Sequence, residues 1–211
     1  MDVGLAFAFW GVSALFVITP GADWAYAMSA GMRGRGHALL AVSGMLAGHL
    51  LATGVVAAGV ATVVAESGAA MTVLTVLGGT YLLWLGVQAL RHPQGNRADG
   101  EAGGEAAVAG QRRPFAKGVG ISLLNPKVFL LFLALLPQFT SVGAALPVGV
   151  QMLVLGMLHI TNCAIVYAGV AFGASALVAR RPGAARLLGI ASGVVMIGLG
   201  ALLVGDGLLR A

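Results

Sequence analysis

Apolar residues run along this chain in six stretches, roughly residues 3–31, 38–64, 70–90, 117–137, 147–178 and 187–208, separated by shorter polar or basic segments. A helix that crosses a bilayer needs about 20 such residues, so the pattern predicts an all-α integral membrane protein with six transmembrane helices. The first and fifth stretches exceed that length, which predicts tilting or breakage. Thr19-Pro20 falls inside the first and Asn125-Pro126 inside the fourth. Proline lacks a backbone donor and clashes with the preceding turn, while Thr or Asn ahead of it suits the N-cap of a new helix that has Pro at its first position. Each dipeptide is therefore expected to end one helix and start another, giving broken helices 1 and 4. In lipid such breaks persist only where protein or a water-filled cavity satisfies the freed backbone groups, and paired breaks in two halves of a chain point to a central binding site.

The polar segments orient the spans. Arg33, Arg35 and His37 lie between the first and second; Arg91, His92, Arg97, Arg112, Arg113 and Lys117 between the third and fourth; Arg180, Arg181 and Arg186 between the fifth and sixth. The opposite side receives Asp2, Glu66, Asp206 and Arg210, so ten of the twelve Lys and Arg occupy alternate loops. By the positive-inside rule those loops are cytoplasmic and both termini lie outside. The stretch around Asn96, Gly100, Gly103, Gly104 and Gly110 has few apolar residues and is expected to be a flexible linker. The chain then divides into a first three-helix repeat at 1–91, a cytoplasmic linker at 92–116 and a second three-helix repeat at 117–211. Three is odd, so the second repeat runs opposite to the first, an inverted-topology pair. Gly79 and Gly86 in the third span carry the same spacing as Gly193 and Gly200 in the sixth.

This arrangement gives the two breaks a common depth. At about 1.5 Å per residue, Gly21 stands about 15 Å from the cytoplasmic end of span one and Asn125 about 12 Å from that of span four. The helices that restart there present unsatisfied N–H groups and positive dipole ends, an environment for an anion such as an amino-acid carboxylate.

Composition agrees with the membrane assignment: 59% of the 211 residues are hydrophobic and 9% charged, with mean hydropathy +0.95. A soluble domain carries about a quarter charged residues. The 33 glycines allow close helix approach in a setting that gives helices no hydrophobic drive to associate. Met1-Asp2 lacks the basic start of a secretory signal, so the first stretch is expected to be retained as a span. Net charge +5 is accounted for by loop topology, which removes the case for a nucleic-acid partner and leaves membrane lipid as the surroundings. A single cysteine, Cys163, allows no internal disulfide and no thiol pair for redox relay. Gly-x-x-x-x-Gly-Lys-Ser/Thr is absent, so ATP drive would require another subunit and ion-gradient coupling is the simpler expectation.

Charges in the bilayer interior cost about 2.5–3.5 kcal/mol on insertion scales, so Asp23 and Lys127, in the first turns of the restarted helices, call for partners or water. They pair with each other, or Asp23 holds an ammonium or a proton while Lys127 draws a carboxylate. The competing reading gives both to helix-dipole compensation and ion pairing alone. Thr19 and Asn125 serve as caps, alone or together with substrate contact. His49 in span two and His159 in span five are candidates for a proton or polar relay, against a packing role with a carbonyl partner; Asn162 lies on the same face as His159, and Tyr167 follows further along. Without a cysteine pair, His-x-x-x-His or Glu-x-x-His, no metal and no cofactor is expected. Tyr81, Trp84 and Gln88 stripe one side of span three and are expected to pack there, with an aromatic at the interface. The small-residue pairs Gly44/Gly48, Gly169/Gly173 and Gly189/Gly193 are expected at helix crossings within the monomer, and the same pattern leaves a homodimer contact open.

Several of these residues also fall in ordered motifs. Thr19-Pro20-Gly21-Ala22-Asp23, then Gly79-Thr80-Tyr81-Leu82-Leu83-Trp84-Leu85-Gly86 with Leu90-Arg91, then Leu124-Asn125-Pro126-Lys127 with Leu136-Pro137-Gln138-Phe139, resemble the signatures of the LysE/RhtB family of amino-acid exporters. Ala22 stands where a second proline is common, which leaves Pro20 to enforce the first break. The resemblance implies a non-enzymatic secondary transporter of the bacterial inner membrane, exporting amino acids or small derivatives, usually in exchange for protons.

Together these readings predict export of a small zwitterionic solute, with Thr19, Pro20, Gly21, Asp23, Asn125, Pro126 and Lys127 forming its site. A single acidic group favours a neutral amino acid over a basic one. The alternatives are an exporter of a metal ion or other small solute, against which the few carboxylates and thiolates in the spans weigh, and a membrane scaffold, which needs no polar breaks at matched depth. A redox carrier would need cysteine pairs or haem ligands.

Overall fold

The computed structural model describes residues 1–66, 68–91, 113–174 and 182–209, and every regular element among them is helical. In chain order these are α1 (Val3–Ile18), α2 (Ala22–Met32), α3 (Arg35–Glu66), α4 (Gly68–Arg91), α5 (Pro114–Leu123), α6 (Pro126–Leu135), a 3₁₀ turn at Pro137–Phe139, α7 (Val148–Gly169), a π-helical turn at Val170–Ala174 and α8 (Pro182–Leu209). Asp2 caps α1 by accepting from the Leu5 N–H at 3.1 Å. Gly34, at φ +109°, makes the reversal between α2 and α3 in a region of backbone space that side chains disfavour.

Apolar residues cover the outside and polar residues are gathered within. Phe7, Leu50, Leu51, Val55, Leu77, Ile165 and Leu202 are at least half exposed, whereas Ser13, Asp23, His49, Thr53, Gln151, His159 and Asn162 are buried. A water-soluble protein sorts these residues the other way, so the surface is that of a protein surrounded by lipid. Residues 35–59 and 148–173 are each long and apolar enough to cross a membrane, and α1 with α2, bent by 61° at their junction, make a third such segment.

Glycines set the closest approaches. A Cβ on Gly79 would lie 2.9 Å from the Gly200 carbonyl oxygen, and one on Gly86 2.7 Å from that of Gly193; the reciprocal approaches are equally tight. As residue numbers rise along α4 they fall along α8, so the two run antiparallel with backbones in contact. On the other side α3 lies against α5, where Gly44 abuts the Phe115 carbonyl and Gly48 that of Val119, a parallel pairing. Among the described residues nothing lies within 4 Å of a Cβ on Gly169 or Gly173, so the expected crossing is not found there. Gly189 falls among residues whose side-chain surroundings are not described.

Two further points refine the sequence reading. α5 begins at Pro114, inside the stretch assigned to the linker, because Pro is well suited to a first helical position; the rest of that stretch, 92–112, lies outside the described residues. The loop before α7 is stapled by Gln151, whose amide donates to the Ser141 and Leu146 carbonyls at 2.8 and 2.7 Å and accepts from the Ser141 N–H at 3.0 Å.

Candidate functional site

Both proline dipeptides interrupt a helix, by different chemistry. At the first, α1 ends at Ile18 and Thr19 is its C-cap. The Thr19 hydroxyl donates backward to the Leu15 carbonyl at 3.0 Å, its N–H bonds the Phe16 carbonyl at 3.2 Å, and the Trp24 indole N–H reaches the Val17 carbonyl at 2.8 Å. Three carbonyls that the broken helix would leave open are thereby satisfied. The expectation that Thr19 caps a helix starting at Pro20 is corrected: α2 starts at Ala22 with Gly21 in the N-cap position, and no side chain caps it. At the second break the helix bounds fall where expected, while the Asn125 amide turns to Asp23. Leu124 closes α5, Asn125 precedes α6, and Pro126 is the first residue of that helix.

Asp23, in the first turn of α2 and 6% exposed, joins the two breaks. Its Oδ2 accepts from the Tyr167 hydroxyl at 3.0 Å and from the Asn125 amide at 3.3 Å, and its Oδ1 lies 3.5 Å from the Ser122 hydroxyl. One carboxylate thus draws donors from α5, the second break and α7. Hydroxyl and amide donors stabilise a buried carboxylate without cancelling its charge. Asp23 and Asn125 meet here; Thr19, Pro20 and Gly21 precede Asp23 in the chain, and the Thr19 hydroxyl turns away to Leu15. Pro126 and Lys127 are placed by their backbone at the start of α6; the Lys127 side chain lies outside the described residues, and with it the anticipated pairing to Asp23.

The predicted relay residues form an adjoining group. The His49 and His159 rings are 5.4 Å apart between centroids, and His49 lies 6.0 Å from the Tyr167 ring. His159 Nδ1 is 2.9 Å from the Ser13 hydroxyl, which also receives the Asn162 amide at 3.0 Å; that amide bonds the Trp10 carbonyl at 3.2 Å. His159 Nε2 lies 3.3 Å from Cys163 Sγ, and His49 Nδ1 2.8 Å from the Met45 carbonyl. Phe132 meets His159 edge-on at 4.9 Å. Polar groups therefore follow one another from Asp23 through Tyr167 and Cys163 to His159 and Ser13, with the His49 ring beside them.

Sequence reasoning had left Ser13, Ser122 and Cys163 out of the site and given Tyr167 no role. One signal was present: 159, 163 and 167 recur at i, i+4 and i+8, which aligns His159, Cys163 and Tyr167 on one face of α7. Nearer the basic loops, the Tyr26 hydroxyl donates to the Pro114 carbonyl at 2.7 Å, and the Lys117 ammonium lies 5.6 Å from the Tyr26 ring centre. This pair ties α2 to the start of α5 by a hydrogen bond and a cation–π contact.

Residues 14–207 match the family described as LysE type translocator. An uncharacterized membrane protein of Vibrio cholerae serotype O1 is 33% identical over 85% of this chain and 83% of its own length. The leucine efflux protein of Klebsiella pneumoniae is 31% identical, covering 69% and 68% of the two chains, and the threonine efflux protein of Salmonella typhi 29% identical, covering 65% and 68%. No solved structure matches the chain. The motifs around both breaks fall within a match that spans most of the sequence, and the chain belongs to the LysE type translocator family.

Proposed function

We propose that this protein is a secondary transporter that exports a neutral amino acid or small amino-acid derivative across the bacterial inner membrane in exchange for protons. The observation that carries this reading is Asp23, a buried carboxyl group at the meeting point of two helix breaks that accepts from Tyr167, Asn125 and Ser122. Relatives named for threonine and leucine efflux support an amino-acid solute. In this mechanism the uncapped N–H groups at the start of α2 and the first turn of α6 take the solute carboxylate, with Lys127 adding positive charge. Asp23 takes the ammonium, or a proton when the solute has left. One carboxylate serving both in turn makes the two exclusive, which is the basis of exchange. Tyr167, His49, His159 and Asn162 extend the line of polar groups along which the proton moves.

We also propose six spans in two inverted repeats, with both termini outside. Three spacings support the repeat: the breaks are 106 positions apart, His49 and His159 are 110 apart, and Gly79 and Gly193, like Gly86 and Gly200, are 114 apart. The glycine contacts agree with it. A two-fold operation that exchanges the third span with the sixth turns the Gly79–Gly200 approach into Gly193–Gly86, which is the other approach observed. Alternating access then consists of one repeat rocking against the other around Asp23.

The reading is tested in proteoliposomes loaded with labelled threonine or leucine. An acidic exterior is expected to accelerate efflux and Asp23→Asn to abolish that acceleration. Efflux of neither solute, or efflux indifferent to the gradient in the parent protein, overturns it.

A further inference from the structure

We propose that His49, His159 and Cys163 form a binding site for a soft monovalent metal ion, copper(I), held between α3 and α7. One donor atom from each of the three lies within 4.8 Å of the others, and all three side chains are buried, at 0, 1 and 0% exposure. At bond lengths of about 2.0–2.3 Å, donors in a trigonal plane stand about 3.5–3.8 Å apart. His159 Nε2 and Cys163 Sγ, at 3.3 Å, already have nearly that separation. The remaining closure is about an ångström and is within reach of side-chain rotation.

The tautomer of His49 supplies the independent argument. A carbonyl only accepts, so the 2.8 Å contact with the Met45 carbonyl places a proton on Nδ1, and in the neutral ring Nε2 is then a bare lone pair. That Nε2 is buried and has no hydrogen-bond partner among the described residues. An unsatisfied buried acceptor is costly, whereas a ring N–H fixed on a backbone carbonyl with the other nitrogen open is the arrangement by which proteins orient a metal-binding histidine. His159 has Nδ1 against the Ser13 hydroxyl, and the tautomer in which Nδ1–H donates to it leaves Nε2 facing Cys163 for the ion.

Charge selects the ion. Binding replaces the Cys163 thiol proton, so one copper(I) enters, one copper–sulfur bond forms and one proton leaves to solvent. Thiolate and copper(I) sum to zero, which suits walls built from Phe16 and Phe132. Thiolate with imidazole is also a donor set favoured by copper(I).

The test uses the full-length protein in detergent, under anaerobic reducing conditions, titrated with copper(I) against a chromophoric copper(I) chelator. One equivalent is expected to bind, with release of one proton. X-ray absorption at the copper edge is expected to show one sulfur and two nitrogen neighbours. Cys163→Ala and His49→Gln are each expected to weaken binding at least 100-fold. Failure to bind one equivalent, a spectrum lacking the sulfur, or undiminished binding by Cys163→Ala overturns the proposal. The absorption spectrum of the unsubstituted protein decides the matter even if the variants do not fold, and none of these readouts depends on transport.

Discussion

Asp23 is held by donors of unequal strength, and that inequality can be measured. The Tyr167 hydroxyl makes the shortest of its contacts and Ser122 the longest, at 3.0 and 3.5 Å. A hydrogen bond to a charged group is worth about 1.5–3 kcal/mol, so Tyr167→Phe is expected to lower export about 10-fold or more while Ser122→Ala changes it little. Initial efflux rates normalised to protein in the membrane check both. Ser13 has a different burden, since both His159 and Asn162 bond its hydroxyl. Ser13→Ala is expected to cost about 1–3 kcal/mol of stability, seen as a lower unfolding temperature in detergent. At this scale the sequence was informative about charge and silent about partners. Asp23 declares itself by being an acid inside an apolar stretch. Its donors are ordinary hydroxyls and an amide, 99 to 144 positions away, and only the packing of α2, α5 and α7 brings them together. Cys163 was discounted by spacing rules that look for ligands on one helix, whereas His49 reaches it from another.

Among the elements, the two breaks show how much of a helix interruption proline dictates. Both were legible in the sequence because a missing donor and a steric clash act locally. The roles of Thr19 and Gly21 were not, because they depend on the direction the chain takes after Pro20 and on Trp24 folding back to Val17. Trp24→Phe keeps the ring and removes that donor, leaving a buried carbonyl open. It is expected to destabilise the junction by about 1–3 kcal/mol and to speed hydrogen exchange in α2 ahead of the other helices. The α4–α8 contact offers a sharper contrast. Gly86→Leu would drive a side chain into the Gly193 carbonyl and Ile197, and is expected to cost about 1–3 kcal/mol, whereas Gly169→Ala meets none of the described residues and is expected to hold or slightly raise the melting temperature. Thermal unfolding of the two purified variants checks this.

At the level of the whole molecule, the apolar stretches already carried the helical membrane architecture, since lipid leaves the backbone few other ways to satisfy itself. Which helices touch was visible only in part. The glycines of α4 and α8 suggested a matched pair, but in so glycine-rich a chain only geometry separates Gly86 from Gly169. Cysteine substitutions at Asp2 and Arg113 in a Cys163→Ala background are expected to react with impermeant reagents from the outside and only after permeabilisation, respectively, if both termini face outward.

The 61° bend between α1 and α2 has a geometric consequence for the lipid itself. Along its own axis α1, with 16 residues, is about 24 Å long, and the 11-residue α2 is about 16 Å long. With α1 laid along the bilayer normal, a bend of that size lets α2 advance only about 8 Å further. The pair then covers about 32 Å, close to the ~30 Å thickness of the hydrocarbon layer, where a straight helix of the same residues would overshoot by about 10 Å. The kink also removes a hydrophobic mismatch, so straightening it would push Arg33 and the basic loop away from the level at which lipid headgroups can receive them.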